Sequence, residues 1–591
     1  MGHTFGSSAV NVDQGLGIVT DATSVYVVGS FGTSVSVNGS SVITGAGGID
    51  GVIFKLNAAT GATQWVTTFG GSSSDNAQAV CLDASGQLYV SGNFFGTATF
   101  GSFSRTALGS SNSDLFAARL NAATGAFDWV STGGANASND NANGSGICYL
   151  PLLNAVVVAG SCSVSTAIYA TTSPVSSITL TASSGGAADI CVLQLNAADG
   201  AFTGGLRAGG TSVNGAEEAL GAVYDPSSQD VILTGYFNST AGLTFGSNPA
   251  MATTGGDDIF YAGYDPVGNT FTWARGAGST GNDRGLAIAS NNISGILITG
   301  RFRGTFSAPT ASSPLTVTTS RVNADDIFLL RINNTNGNAQ LLTGSVGDNL
   351  NATSNQGLGI VANSLGKVWI AGSYASNIVF SPLASLAPSG TNTADIVLAL
   401  FNDVITLPVN LISFTAQLAS DDVQLKWLTA NETDNDHFDI ERSTDGRSFT
   451  SIGQRQGLGT GVSGNYNWID PGIATRGAEN IYYRLKIVSV TGEIGYSVIV
   501  VVNLNRNISL TALIGPNPFS DVFNIMLSAP RDGNIQISVN DMLGRNLYRE
   551  QRKVAKGFST LPVSAEKFSR GVYTLVIEFE GERVINKINK Q

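Results

Sequence analysis

The chain has 591 residues, of which 42% are hydrophobic, 12% are charged and 72 are glycine, and its net charge is −12. Residues 1–402 hold about 11 Lys and Arg against 22 Asp and Glu, a balance that argues against nucleic acid, whose binding rests on neutralising phosphates with cations. No apolar run is long enough to cross a bilayer as a helix. MGHTFGSS does not spell a secretory leader, so a secreted form is expected to have lost one already.

Residues 1–402 repeat. FKLNAATGATQW at 54–65 returns as ARLNAATGAFDW at 118–129 and as LQLNAADGAF at 193–202. Aligned on its Asn, the pattern recurs at Asn57, Asn121, Asn196, Asp265, Asn333 and Asn402, and seven positions earlier stand Asp50, Asp114, Asp189, Asp258, Asp326 and Asp395. Upstream lie apolar runs that end in a small residue and Gly, such as VYVVGSF and VILTGYF. Each unit therefore spells four short strands, with NAATG as a tight turn between the third and fourth. The Asn and Gly of that turn read as structural.

A period of this length builds either a propeller or a string of modules. The sixth unit stops after its third strand, at ADIVLALFN, whereas HTFGSSAV at the start matches the end of a fourth strand. One end owns what the other lacks. The expectation is a six-bladed β-propeller of four-stranded blades, closed by an N-terminal strand in which His3–Phe5 pair beside ADIVLALFN. With GSFxGTxxFG and DIFxxKLN as shared wording, residues 1–402 resemble the SBBP type of β-propeller repeat. That family is nominally seven-bladed; six are counted here.

A linker at 403–408 leads into 409–504, where about seven strand-like runs surround Trp427. This spacing predicts an Ig-like sandwich, and LTANETDNDHFDIERSTDGRSF resembles a fibronectin type III-like module. After a second linker at 505–514, residues 515–591 form the last β module, a second Ig-like sandwich. Pro516, Asn517 and Pro518, then Leu543, Gly544 and Arg545, then Gly571 and Tyr573, and finally Lys587 and Lys590 make it resemble the type A sorting domain of the type IX secretion system. The resemblance implies export by that machinery, removal of the tail by its sorting protease, and attachment to surface lipopolysaccharide. The protein would then be secreted or held at the cell surface via the outer membrane.

Little chemistry is spelled. The two His, His3 and His437, do not form a metal set, and no GxSxG nucleophile elbow occurs. Gly459, Gly461 and Gly464 satisfy GxGxxG, yet NYNWID follows as a strand where a dinucleotide site needs a helix. Thr433, Asp434, Asn435 and Asp436 lack the trailing Gly and Glu of a calcium loop. The six repeated Asp, on one face with Asp13, Asp75, Asp140 and Asp283, could hold Ca²⁺ or a cationic ligand. Recurrence in every unit instead favours a latch that accepts backbone N–H groups and ties blade to blade.

In unit three, Cys162 and Cys191 replace bulky residues on neighbouring strands and are candidates for a disulfide, whereas Cys81 and Cys148 are expected to stay free. No catalytic group and no cofactor is read. The reading is an exported binding or adhesion protein for an extracellular glycan or protein ligand. A secreted enzyme acting on polysaccharide and a structural surface-layer component are the alternatives.

Overall fold

The computed structural model describes the chain except residues 1–4, 7–12, 33, 38–40, 84, 109–111, 136–140, 163–166, 173–174, 182–187, 211–215, 241, 291–294, 320–323, 348–353, 364–366, 381–384, 390–393, 403–410, 420, 430–431, 433–434, 447, 459–462, 474–479, 491–493, 498, 505–510, 516, 530–531 and 555–556. His3, Asp140, Thr433, Asp434, Gly459, Gly461, Pro516 and the linker 403–408 thus lie outside the described residues. The described elements are strands joined by turns, and the chain is all-β. It divides into two compact units. One holds Met1–Thr415, Leu425–Trp468 and Tyr483–Val500; the other holds Ala416–Gln424, Ile469–Tyr482 and Val501–Gln591.

In the first unit the repeats become sheets. Gln14–Thr20, Ser24–Phe31, Asp50–Asn57 and Thr63–Gly71 lie side by side in chain order, antiparallel throughout, and the next four repeats do the same. The register is constant: the six repeated Asp stand opposite Phe31, Phe94, Cys162, Phe237, Phe302 and Tyr374, the residues at the ends of the second strands. First strands of successive sheets lie beside one another from Gln14–Thr20 to Gln356–Ala362. The cores sit between sheets. Tyr26, Val28 and Ile53 of one repeat, for example, pack against Val90, Phe116 and Ala118 of the next. Alternating side chains on each strand supply the two faces this requires.

The repeated turn does two jobs. Asn57 Oδ1 accepts the N–H groups of Ala59 and Thr60 at 3.0 and 2.9 Å, and Gly61 supplies φ of 72°. Across the interface Trp65 Nε1 donates to Ala122 O, in the next repeat's turn, at 3.1 Å, and Trp129 Nε1 does the same to Ala197 O at 3.2 Å.

The connection between second and third strands carries a hairpin that reaches back to the preceding sheet. Thr97–Phe100 pairs with the end of Thr63–Gly71, and Ala167–Thr172 with Phe127–Gly134. Sequence reading did not foresee this, because the hairpins vary in spelling from repeat to repeat.

Among the described residues no closed ring is found. Among the described residues Asp395–Asn402 has one strand partner, Lys367–Tyr374. Phe5–Gly6 pairs with Ser34–Val37 and not, as the sequence suggested, with Asp395–Asn402. The reason is the reach-back hairpin: Gly6 opposes Ser36 as Gly70 opposes Thr99, so the N-terminal residues occupy the place of a preceding fourth strand. The face beyond Asp395–Asn402 is uncovered. Leu398 is 70% exposed, whereas its counterpart Ile53 is fully buried against the next sheet.

Further along the first unit, Trp427 stacks on Tyr466 with ring centroids 5.2 Å apart, and Phe438 packs edge-on against both. Buried Glu432 accepts from Tyr466 OH at 2.6 Å, from Thr429 Oγ1 at 2.8 Å and from Leu458 N at 2.7 Å, so its charge is fully hydrogen-bonded.

In the second unit, Thr511–Gly515, Val522–Ala529 and Gly557–Ser564 form one sheet, and Asn546–Val554, Gly533–Asn540, Gly571–Phe579 and Glu582–Lys590 form another. Phe523, Ile525, Leu527, Ile535, Ile537, Leu575 and Ile577 fill the core that the two sheets share.

Candidate functional site

Five of the six repeated carboxylates are buried, Asp395 being half-buried, and several are held by backbone N–H groups. Asp50 Oδ2 accepts from Ala46 N at 2.7 Å, Asp114 Oδ2 from Leu108 N at 3.0 Å, and Asp258 Oδ2 from Thr254 N at 2.7 Å. Asp395 accepts from Ser389, and Asp189 instead pairs with Arg207 at 2.5 Å. The bonds at Asp50, Asp114, Asp258 and Asp395 brace each aspartate's own loop, whereas Asp189 is tied to the fourth strand Phe202–Gly210.

A second column stands at the start of the first strands, at Asp13, Asp75, Ala142, Glu217, Asp283 and Asn355, and its polar side chains reach across between repeats at Asp75, Asp283 and Asn355. Asp75 Oδ2 accepts Gly71 N of the preceding repeat at 2.9 Å, and its Oδ1 accepts Phe95 N of its own at 3.0 Å. Asp283 does the same with Ser279 N at 2.6 Å and Arg303 N at 2.8 Å. Sequence reading named Asp13, Asp75 and Asp283 but missed Glu217 and Asn355. Aligning the residue before each first strand would have found both.

The columns meet at the seams. A Cβ at Gly70 would lie 1.9 Å from Asp50 Oδ1 and 3.0 Å from Asp75 Oδ2, so only glycine fits between the two carboxyls. Burial pushes the Asp75 carboxyl up to about 6, with the Asp50 charge adding to it. Burial likewise raises Asp283 to about 7, assisted by Asp258, and Glu217 to about 8, assisted by Asp189. Asp50 Oδ1 and Asp258 Oδ1 are buried and accept no hydrogen bond. Among the described residues no group of three or more His, Cys, Asp or Glu is arranged to hold a metal ion. His437 is engaged with carboxylates, its Nδ1 2.6 Å from Asp436 and its Nε2 3.6 Å from Asp439. Gly464 donates its N–H to Thr429 Oγ1 and leads into a strand, not a helix.

Chemistry gathers where the repeats differ. The residue after each member of the second column pairs across to the second strand, as Gln14–Ser30, Asn76–Asn93, Asn143–Ser161, Glu218–Tyr236, Arg284–Arg301 and Gln356–Ser373 in successive repeats. Four pairs are uncharged; the fourth and fifth repeats break the pattern. Glu218 accepts from Asn143 Nδ2 at 3.3 Å and from Tyr236 OH at 3.4 Å, and Ser145 Oγ lies within hydrogen-bond distance of both Glu218 Oε1 and Gln78 Oε1. Arg284 stacks on the Tyr236 ring at 3.8 Å and pairs with Asp257 at 2.5 Å. Asp325 is shared by Arg301 at 3.3 Å and Arg303 at 2.7 Å. The result is a continuous, half-exposed polar track across repeats two to five. Sequence reading missed it because it looked for what recurs.

In the second unit the sorting-signal residues fall into two groups. Asn517 Nδ2 donates to Lys587 O at 2.9 Å, and its Oδ1 accepts Asn589 N at 2.9 Å. Lys590 is buried, donating to Ala565 O at 2.7 Å. Pro518, which follows Asn517, is exposed at the surface. Leu543, Arg545, Gly571 and Tyr573 line a groove of about 510 Å³, and Gly544 lies in the turn beside it. There Asp541 Oδ1 accepts the N–H groups of Leu543 and Arg545, Gly544 takes φ of 82°, and Leu543 is left 81% exposed at the tip. Cys162 and Cys191 are both buried as thiols, diagonal to one another on adjacent strands, and Cys81 and Cys148 are also free.

Residues 514–591 match the family described as the secretion system C-terminal sorting domain. The tail is therefore a type IX sorting domain, which marks the protein as secreted or attached at the outer-membrane surface. No curated protein matches the chain. Among solved structures it is similar to dimeric latent PorU from Porphyromonas gingivalis, at 12% identity over 56% of this chain and 31% of that one, with a TM-score of 0.13. It is also similar to the polysaccharide lyase Uly1, at 8% identity over 77% and 90% with a TM-score of 0.28, and to the BSP domain of a biofilm-associated protein, at 9% over 68% and 74% with a TM-score of 0.13. The chain thus spans about a third of the PorU chain. Likenesses this distant carry no argument about activity. In the described residues no helix is long and apolar enough to cross a membrane.

Proposed function

We propose that this is an exported binding protein whose repeats close into a six-bladed β-propeller of the SBBP type, with a fibronectin type III-like module leading to the sorting tail. The tail passes through the type IX machinery and is removed by its sorting protease. The ring closes when the N-terminal strand lies along Asp395–Asn402. The fourth-strand register of Phe5–Gly6 and the uncovered side chains of Ile396, Leu398 and Leu400 support this. Ligand binds on the face that carries the second-to-third-strand connections. The opposite face has tight turns such as Asn57–Gly61, whose polar groups are spent on their own backbone.

The observation that carries the reading is the departure from the repeat at Glu218, Tyr236, Arg284 and Arg301. A lock is built from every repeat, whereas a binding site is built from a few. Screening the full chain against an array of extracellular glycans and proteins tests it. A ligand lost on Glu218→Gln with Tyr236→Phe, and retained on Asn121→Ala in the opposite turn, is the expected result. Binding untouched by the first pair of changes refutes it.

A further inference from the structure

The fifth repeat places two arginines directly opposite one another, Arg284 across from Arg301, where four other repeats place uncharged pairs. Like charges at opposed positions on neighbouring strands destabilise a sheet, so a fold retains them only where something compensates. Among the described residues two aspartates pair with these arginines. Arg303 adds a third guanidinium beside Arg301, and both lean on the single carboxylate of Asp325, while Arg284 takes Asp257. Among the described residues the three guanidiniums form ion pairs with two carboxylates, and Glu218 stands on the far side of the Tyr236 ring. The three guanidinium side chains remain 31, 22 and 30% exposed, and Arg301 Nε is buried without a hydrogen-bond partner. About 11 Lys and Arg serve the whole of residues 1–402, and three of them stand here.

We propose that Arg284, Arg301 and Arg303 bind the anionic group of an acidic oligosaccharide, either a uronate carboxylate or a sulfate ester. The inference rests on the reading that this face binds a ligand. Planar guanidinium forks match such oxyanions with paired N–H donors, and the part of each guanidinium left exposed supplies them. Leading away from the arginines, the track runs through Tyr236 and Glu218 to Ser145, Gln78 and Asn93. Its amides, hydroxyls and carboxylate both donate and accept, which suits the vicinal hydroxyls of a sugar chain. An acidic peptide offers the charge without those hydroxyls.

The test is calorimetric titration of the full chain at low salt with oligogalacturonate, a sulfated dextran oligomer, an uncharged dextran oligomer and a poly-glutamate peptide. One or both acidic sugars should bind at least tenfold more tightly than dextran or the peptide, and added salt should weaken them. Arg303→Gln should reduce that binding at least tenfold; Arg303→Lys, which keeps the charge and the pairing with Asp325, should retain part of it and covers the case in which the first variant does not fold. Equal binding of dextran, equal binding of poly-glutamate, or acidic-sugar binding indifferent to both variants overturns the inference. Dextran binding that disappears on Glu218→Gln would leave the binding face standing while the anion site falls. Failure of every probe defeats the anion site outright.

Discussion

Asn355 donates its side-chain amide to Asp326 at 3.1 Å, at the seam position where Asp50 meets Asp75 and Asp258 meets Asp283. In the amide–carboxylate seam the donor hydrogen is covalently supplied. In the carboxyl–carboxyl seams neither group supplies a hydrogen while both are ionised, and the facing charges repel. The raised values of Asp75 and Asp283 are caused first by burial and then by the facing carboxylate.

The first prediction follows from the sign of those shifts. Asp75, Asp283 and Glu217 hold protons in the folded chain that the unfolded chain releases near pH 4. Their stabilisation is fully present below that value and is lost as pH rises through about 6, 7 and 8 respectively. Thermal unfolding followed between pH 5 and pH 9 should therefore show a falling midpoint. Asp75→Asn, which copies the Asn355 seam, should remove the part of the fall near pH 6; a midpoint that rises with pH would contradict raised carboxyls at the seams.

Ring closure is tested by a cross-link. By the register of Gly51 with Phe69, Phe5 should stand opposite Ile396 in the closed propeller. Phe5→Cys with Ile396→Cys is expected to form an intramolecular disulfide under mild oxidation, read as a mobility shift reversed by reductant. A cross-link found only between copies, or none at all, would show that the ring stays open.

Two changes in the tail should separate folding from export. Asn517→Ala removes two hydrogen bonds to the last strand and should cost about 1–2 kcal/mol. Leu543→Asn alters an exposed tip and should change stability by no more than about 0.5 kcal/mol, yet it should impair delivery to the surface. Deleting 516–591 should trap the chain in the periplasm of a bacterium that uses this system. Normal delivery of Leu543→Asn would move the recognition surface elsewhere on the domain.

Export also passes an oxidising compartment. Two buried thiols, Cys162 and Cys191, sit diagonally on paired strands, and a disulfide between them is expected in the exported protein. Thiol titration of the denatured, unreduced chain should then find two reactive groups of the four cysteines. Four would exclude the bridge.

Much of the architecture was legible because repetition exposes it. The Asn57 turn, the four-strand period and the constant place of Asp50 and its equivalents follow from residue types with strong local preferences, and the tail was legible from its motif. The reach-back hairpins were not, since Thr97–Phe100 and Ala167–Thr172 share no spelling and are fixed by pairing with another repeat's edge. The polar track was hidden for a different reason. Arg284 and Arg301 lie 17 positions apart in sequence, and only strand register reveals that they are opposed.

The reach-back hairpins make successive sheets overlap like shingles, each laid over the edge of the one before it. Load on such an array is directional. A pull from the C-terminal end must lift the last shingle before the one beneath it is exposed, so rupture should advance backwards one repeat at a time. A tether at the C-terminal end left when the sorting domain is removed pulls in that direction, and a chain anchored there would yield in small steps under flow instead of failing at once.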